Sequence, residues 1–128
     1  MVTSLGGAVA DSDDRPFDVM AGACPSRAVL EHVTSKWGSL TLAALSSEPA
    51  RFGELRRTIG GISEKMLSQT LKSLESDGLV DRRVQSTAPL HVDYALTPSG
   101  QTVAQAVRVL VLAVYDVMPE VLKVADSA

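Results

Sequence analysis

Between Ile62 and Val80 the apolar positions recur every three or four residues, which is the spacing of one helix face. At about 100° per residue, Leu67, Thr70, Leu71 and Leu74 gather on one side, and Lys65, Ser68, Gln69 and Lys72 gather on the other. Ser63 is placed to cap this helix, and Asp77-Gly78 to close it after Ser76. Gly60-Gly61 separates it from a shorter helix predicted over about Phe52–Ile59. The period then switches from helix to strand. Val80–Gln85 and His91–Leu96 read as short strands joined by Ser86-Thr-Ala-Pro-Leu, a loop long enough to project rather than turn tightly. In the second strand Val92, Tyr94 and Leu96 share one face, with Asp93 and Ala95 on the other.

Upstream, Cys24-Pro25 opens a helix that ends near Ser35, with Ala28, Val29, Leu30 and Val33 on its apolar side. A second helix over about Lys36–Ser47 is expected to bury Trp37, Leu40, Ala44 and Leu45, and Pro49 stops it. Downstream, Thr97-Pro98 starts a long helix on which Val103, Val107, Leu110, Val111, Val114 and Met118 lie three or four apart, with Pro119 expected to end or kink it. The fold class is therefore mainly α with a small β-hairpin. Two helices followed by a β-ribbon is the order of a winged helix-turn-helix, whose second helix enters the major groove while the ribbon grips the flanking backbone.

Composition sharpens this picture. A chain of 128 residues has room for one core, and with 45% hydrophobic but only 4% aromatic residues that core must be aliphatic. Residues 1–16 are rich in Gly, Ala, Ser and Asp without periodicity, which predicts a disordered arm ahead of a single domain at 17–128. No apolar run reaches the length of a membrane span, and the acidic start does not resemble a secretory signal. One cysteine, Cys24, excludes an intrachain disulfide and fits a reducing cytoplasm.

A net charge of −3 argues against a nucleic-acid partner until its distribution is read. Residues 1–23 hold Asp11, Asp13, Asp14 and Asp18 against Arg15, so the remainder is balanced, with 11 basic and 11 acidic groups. Within 51–91 seven basic residues face five acidic ones. Phosphate binding depends on this local field more than on the total.

The motifs Cys24-Pro25, Lys36-Trp37, Arg51-Phe-Gly-Glu-Leu, Ile62-Ser-Glu-Lys-Met-Leu, Leu71-x-x-Leu-Glu-x-Asp-Gly-Leu-Val and Val92-Asp-Tyr-x-Leu-Thr follow one another from Cys24 to about Tyr115. In that order they resemble the HxlR-type regulators, a MarR-related bacterial winged-helix family. The resemblance implies a homodimeric transcription factor that binds a short inverted repeat of duplex DNA. Two positions depart from the family pattern. His91 stands where Lys or Arg is common, which implies a weaker and pH-sensitive phosphate grip, and Gln85 stands where Tyr is common.

The candidate chemistry follows from the exposed helix face. Ser63, Lys65, Ser68, Gln69 and Lys72 are expected to read DNA, since Gln pairs bidentately with adenine, Lys reaches guanine or phosphate, and Ser serves either. Arg56, Arg57, Arg82, Arg83 and His91 are expected to hold phosphates, although alternation puts Arg82 in phase with Val80 and Val84 and so also suits it to bracing the ribbon. The first helix and the Val103, Val107, Leu110, Val111 and Val114 stripe carry the expected dimer interface, because the long helix has more apolar surface than one small domain needs.

Cys24 beside a helix start is a candidate thiolate for reaction with oxidants, quinones or aldehydes; the alternative is a small buried hydrophobe. With one cysteine, oxidation leads to an intersubunit disulfide, a mixed disulfide, an adduct or a sulfenic acid. His32 and His91 read as isolated, and no phosphate-cradling glycine loop or metal-ligand spacing occurs, so no enzyme, cofactor or metal is expected. Two other roles stay open: a regulator gated by a small ligand in the dimer cleft, and a winged helix used as a protein-interaction module.

Overall fold

Short local signals fix where each helix starts. Pro25 occupies the first position of α1 (Pro25–Thr34), where its missing N–H costs nothing, and Cys24 is the N-cap. The Ser35 hydroxyl caps α2 (Lys36–Leu45) by accepting the Gly38 N–H at 3.0 Å. Arg51 precedes α3 (Phe52–Thr58), and the Glu54 carboxylate reaches back to its N–H at 2.8 Å. Ser63 caps α4 (Glu64–Ser76) by accepting the Met66 N–H at 3.0 Å. Gly78, at φ +77°, then turns the chain out of α4 in a conformation that disfavours any side chain.

The computed structural model describes residues 15–127, so nearly all of the expected arm at 1–16 lies outside the described residues. After α4 come β1 (Val80–Thr87), the antiparallel β2 (Leu90–Leu96) and α5 (Pro98–Ser127). Ala50 adds a one-residue bridge to Tyr94, closed by backbone hydrogen bonds of 3.0 and 2.8 Å. Leu42, Leu45, Leu55, Ile59, Ile62, Leu67, Leu71, Leu74, Leu79, Val80, Leu96, Ala104 and Val107 form one continuous core. Each such leucine contributes about 1.5–3 kcal/mol by leaving water.

Two glycines permit the tightest approaches. A Cβ on Gly38 would lie 1.9 Å from the His32 carbonyl oxygen, and one on Gly100 would lie 1.9 Å from the Leu79 carbonyl oxygen. The first lets α2 abut the end of α1, and the second seats α5 on the corner where α4 passes into the hairpin. Thr97 reinforces that corner, donating to the Gly78 carbonyl at 2.6 Å.

Several local expectations are corrected. In α2 the buried side is Gly38, Thr41, Leu42 and Leu45, whereas Leu40 is exposed and Trp37 and Ala44 are half-buried, because α2 packs between α4 and α5 rather than on one flat layer. The α1 helix buries no residue fully; Val29 and Val33 rest on the core while Ala28 and Leu30 are exposed. The strands extend to Thr87 and Leu90, which pair, so the projecting loop is a two-residue turn at Ala88-Pro89. Gln85 falls at a bulge between Val84 and Ser86 and is exposed. Pro119 does not end α5, which continues to Ser127; it forfeits one intrahelical hydrogen bond, and flanking turns hold the helix. Among the described residues no helix is long and apolar enough to cross a membrane.

Candidate nucleic-acid interface

The α3–turn–α4 unit presents a polar face because its leucines are used up inside. Leu67, Leu71 and Leu74 are buried, which forces Lys65, Gln69 and Lys72 outward, and all three are exposed. Ser68 is half-buried on the edge of this stripe. Ser63 is exposed, but its oxygen already accepts the Met66 N–H, so toward DNA it has its hydroxyl proton to give. On α3, Arg56 and Arg57 are both exposed, and Arg56 lies 3.4 Å from Glu64 at the start of α4.

The wing is a two-stranded ribbon whose base alone is buried. After Val80 every residue of β1 is exposed, so alternation along it separates two solvent faces rather than core from solvent. Arg82, set opposite Tyr94, is exposed and does not brace the ribbon against the core. Arg83 lies on the other face, 3.9 Å from Asp81, opposite Asp93, and beside a cleft that Glu48 and Gln101 also line. Its charge is thereby partly offset, which leaves Arg82 as the less encumbered cation of the two.

Neither histidine is isolated. His91 Nε2 is 3.1 Å from Asp93 Oδ1, and the Arg51 guanidinium contacts both ring nitrogens. At Nε2 the ring meets both the Asp93 carboxylate and the donating Nε–H of Arg51. His32 Nδ1 lies 2.6 Å from Asp77 Oδ2, joining the last turn of α1 to the C-cap of α4. Sequence reasoning passed over Arg51, although its place directly ahead of the helix carrying Arg56 and Arg57 was a usable signal. It is exposed, and the Glu54 cap and His91 fix it where α3 meets the wing.

Cys24 sits half-buried at the head of α1. Its sulfur is 3.1 Å from the Ser26 hydroxyl and receives the Asp18 N–H at 3.5 Å. The Ser26 hydroxyl, then the Asp18 and Ser26 backbone N–H groups, hold the thiol below its usual range, opposed by partial burial and the Asp18 carboxylate. An apolar cleft of about 440 Å³ opens alongside, lined by Phe17, Val19, Pro25, Val29, Val33 and Val103 among others. Among the described residues no cluster of His, Cys, Asp or Glu could hold a metal ion.

The expected dimer stripe on α5 divides into two. Val107 is buried in this chain's own core, and Val103 and Val111 pack against that core, which corrects the assignment of Val107 to a partner-facing surface. Leu110 and Val114 are exposed, as are Val109, Leu112, Tyr115, Val117, Val121, Leu122 and Val124. The reason is positional: α5 outruns the body formed by α1–α4 and the hairpin, so its core contacts run from Gly100 to Val111 and most of the apolar residues beyond are exposed.

Comparison with known proteins agrees with this geometry. The HxlR-like helix-turn-helix family matches residues 32–120. The HTH-type transcriptional regulator YtfH of Escherichia coli is 50% identical over 110 residues, covering 86% of this chain and 87% of the relative. The structure of the transcriptional regulator ytfH from Salmonella typhimurium superposes with a TM-score of 0.79 at 45% identity, covering 86% of this chain and 98% of that one. The redox regulator HypR in its oxidized form superposes with a TM-score of 0.67 at 31% identity, covering 73% of this chain and 96% of that one. The chain belongs to the HxlR-like helix-turn-helix family: it is a DNA-binding transcriptional regulator, not an enzyme.

Proposed function

We propose that this regulator works as a homodimer on an inverted-repeat operator, with the two α4 helices entering major grooves about 34–36 Å apart on one side of the duplex. The observation that carries the reading is the exposed stripe of Lys65, Gln69 and Lys72 backed by three buried leucines. In it Gln69 and Lys72 contact base edges, Ser63, Lys65 and Ser68 flank them, and Arg51, Arg56, Arg57, Arg82, Arg83 and His91 hold the sugar–phosphate backbone. The exposed apolar residues of α5 beyond Arg108, with α1, form the contact between copies.

Cys24 is the switch in this reading. Its lowered thiol favours the thiolate, the form that reacts with electrophiles and oxidants, and the similarity to the redox regulator HypR supports the assignment. Modification at the head of α1 alters the affinity for DNA.

Gel-shift titration of Gln69→Ala and Lys72→Ala, against duplexes selected from a random-sequence pool by the parent chain, tests the interface. Each lost base contact is expected to cost about 1–3 kcal/mol of specific binding with an unchanged melting temperature. Unaltered affinity in both variants sinks the assignment of α4.

The apolar cleft beside α1 favours a second reading, a small apolar effector bound without covalent chemistry. A ligand-induced rise in melting temperature that persists in Cys24→Ser selects this reading over the thiol switch.

A further inference from the structure

We propose that the hydrogen bond between His32 and Asp77 is the link through which the state of Cys24 reaches the recognition helix α4. The link rests on the reading of Cys24 as a sensor given above. Cys24 and His32 stand at opposite ends of one helix, the first as N-cap of α1 and the second in its last turn. Ten helical residues span about 15 Å and move as one body.

At its far end α1 is held in two different ways. The His32 carbonyl accepts the Ser35 hydroxyl at 2.8 Å, and the bare Gly38 packs so close to the same oxygen that no side chain fits between them. That backbone contact is a fulcrum on α2. The His32 imidazole extends past it, with Nδ1 2.6 Å from Asp77 Oδ2. Asp77 is the C-cap of α4, its side chain is only 12% exposed, and its own N–H is bonded to the Ser73 carbonyl within that helix. A swing of the Cys24 end about the fulcrum therefore transfers to the base of α4. A cleft of about 180 Å³ between the two helices, lined by His32, Ser35, Gln69 and Ser73 among others, gives α4 room to follow, and Gln69 of the DNA-facing stripe stands on its rim.

The input is a change at sulfur. When the thiolate adds to an electrophilic alkene, an S–C bond forms, the alkene π bond is consumed, and solvent supplies the proton taken up by the neighbouring carbon. The added group displaces the Asp18 N–H and the Ser26 hydroxyl from Sγ, and with them the contacts that set the position of the α1 head.

N-ethylmaleimide is the probe, because Cys24 is the one thiol in the sequence. Affinity for a selected operator duplex is measured before and after complete labelling, checked by intact mass, in the parent, His32→Asn, His32→Leu and Asp77→Ala, with thermal melting as the control for folding. Asn places an amide N–H near the position of Nδ1 and can keep the bond to Asp77. Labelling is expected to weaken the parent and His32→Asn by roughly tenfold. His32→Leu and Asp77→Ala, which leave no donor or no acceptor for the bond, lose most of that ratio while their unlabelled affinity stays close to the parent's.

A ratio in His32→Leu equal to the parent's overturns the link and leaves sensing intact. No effect of labelling on the parent overturns the sensing reading and the link together. Should His32→Leu fail to fold, Asp77→Ala decides alone: a parental ratio there overturns the link.

Discussion

The guanidinium of Arg51 lies against the imidazole of His91, with Nε 3.2 Å from Nε2, so the residue that opens α3 also grips the wing. The two are 40 positions apart in the chain. Asp93 Oδ1 lies 3.1 Å from the same ring nitrogen. Arg51→Ala removes a cation beside the DNA face and the tie between helix and ribbon at once. Binding to specific and random duplex is expected to weaken alike, with the slope of log affinity against log salt shallower by about 0.9. Fluorescence-anisotropy titrations at several salt concentrations measure this, and an unchanged slope would mean that Arg51 is a strut for the wing and touches no phosphate.

The wing arginines are expected to differ. Arg83 is shared with Asp81 and faces Asp93 across the ribbon, whereas Arg82 sits opposite Tyr94. Arg82→Ala should therefore lower affinity and salt slope more than Arg83→Ala does, by about one phosphate contact's share of the slope. Equal losses would show that the acidic neighbours of Arg83 release it when DNA arrives.

For Cys24 the pH dependence follows from the thiolate. Its ionisation is held below the usual thiol range first by the Ser26 hydroxyl, so the rate of alkylation by iodoacetamide should reach half its plateau at a lower pH than for a free thiol. Below that midpoint the rate falls about tenfold per pH unit as the thiol reprotonates. Ser26→Ala should move the midpoint upward. A midpoint indifferent to Ser26 would reassign the shift to the backbone donors.

On α5, position decides the outcome of substitution. Val107→Ala leaves a cavity in the chain's own core and should cost about 2 kcal/mol of stability whatever the protein concentration. Leu110→Glu and Val114→Glu act on the exposed side, where both residues are open in the single chain. On the proposed dimer, light scattering should find the parent dimeric and these variants monomeric at the same concentration. Monomers produced by Val107→Ala alone would place that residue at the interface after all.

The elements and their order are legible in the linear chain. Caps and breakers act within a few residues, so Ser63, Gly78, Pro25 and the leucine period of α4 announce the helix-turn-helix without help from the rest of the chain. The polar stripe of Lys65, Gln69 and Lys72 was legible for the same reason, since one buried face implies the other.

Relations between residues far apart in the chain emerge only once it is folded. Local period does not say that α2 is wedged between two helices, and so could not tell that Leu40 is exposed and Leu42 buried. It also gave no sign that Asp77 receives His32 across 45 positions or that His91 receives Arg51 across 40. In the wing, alternation lost its meaning because both faces of β1 meet solvent. Along α5 one unbroken apolar pattern serves two ends, the chain's own core through Val103, Val107 and Val111 and an exposed side that includes Val109, Leu110 and Val114, and only the body it packs against divides them.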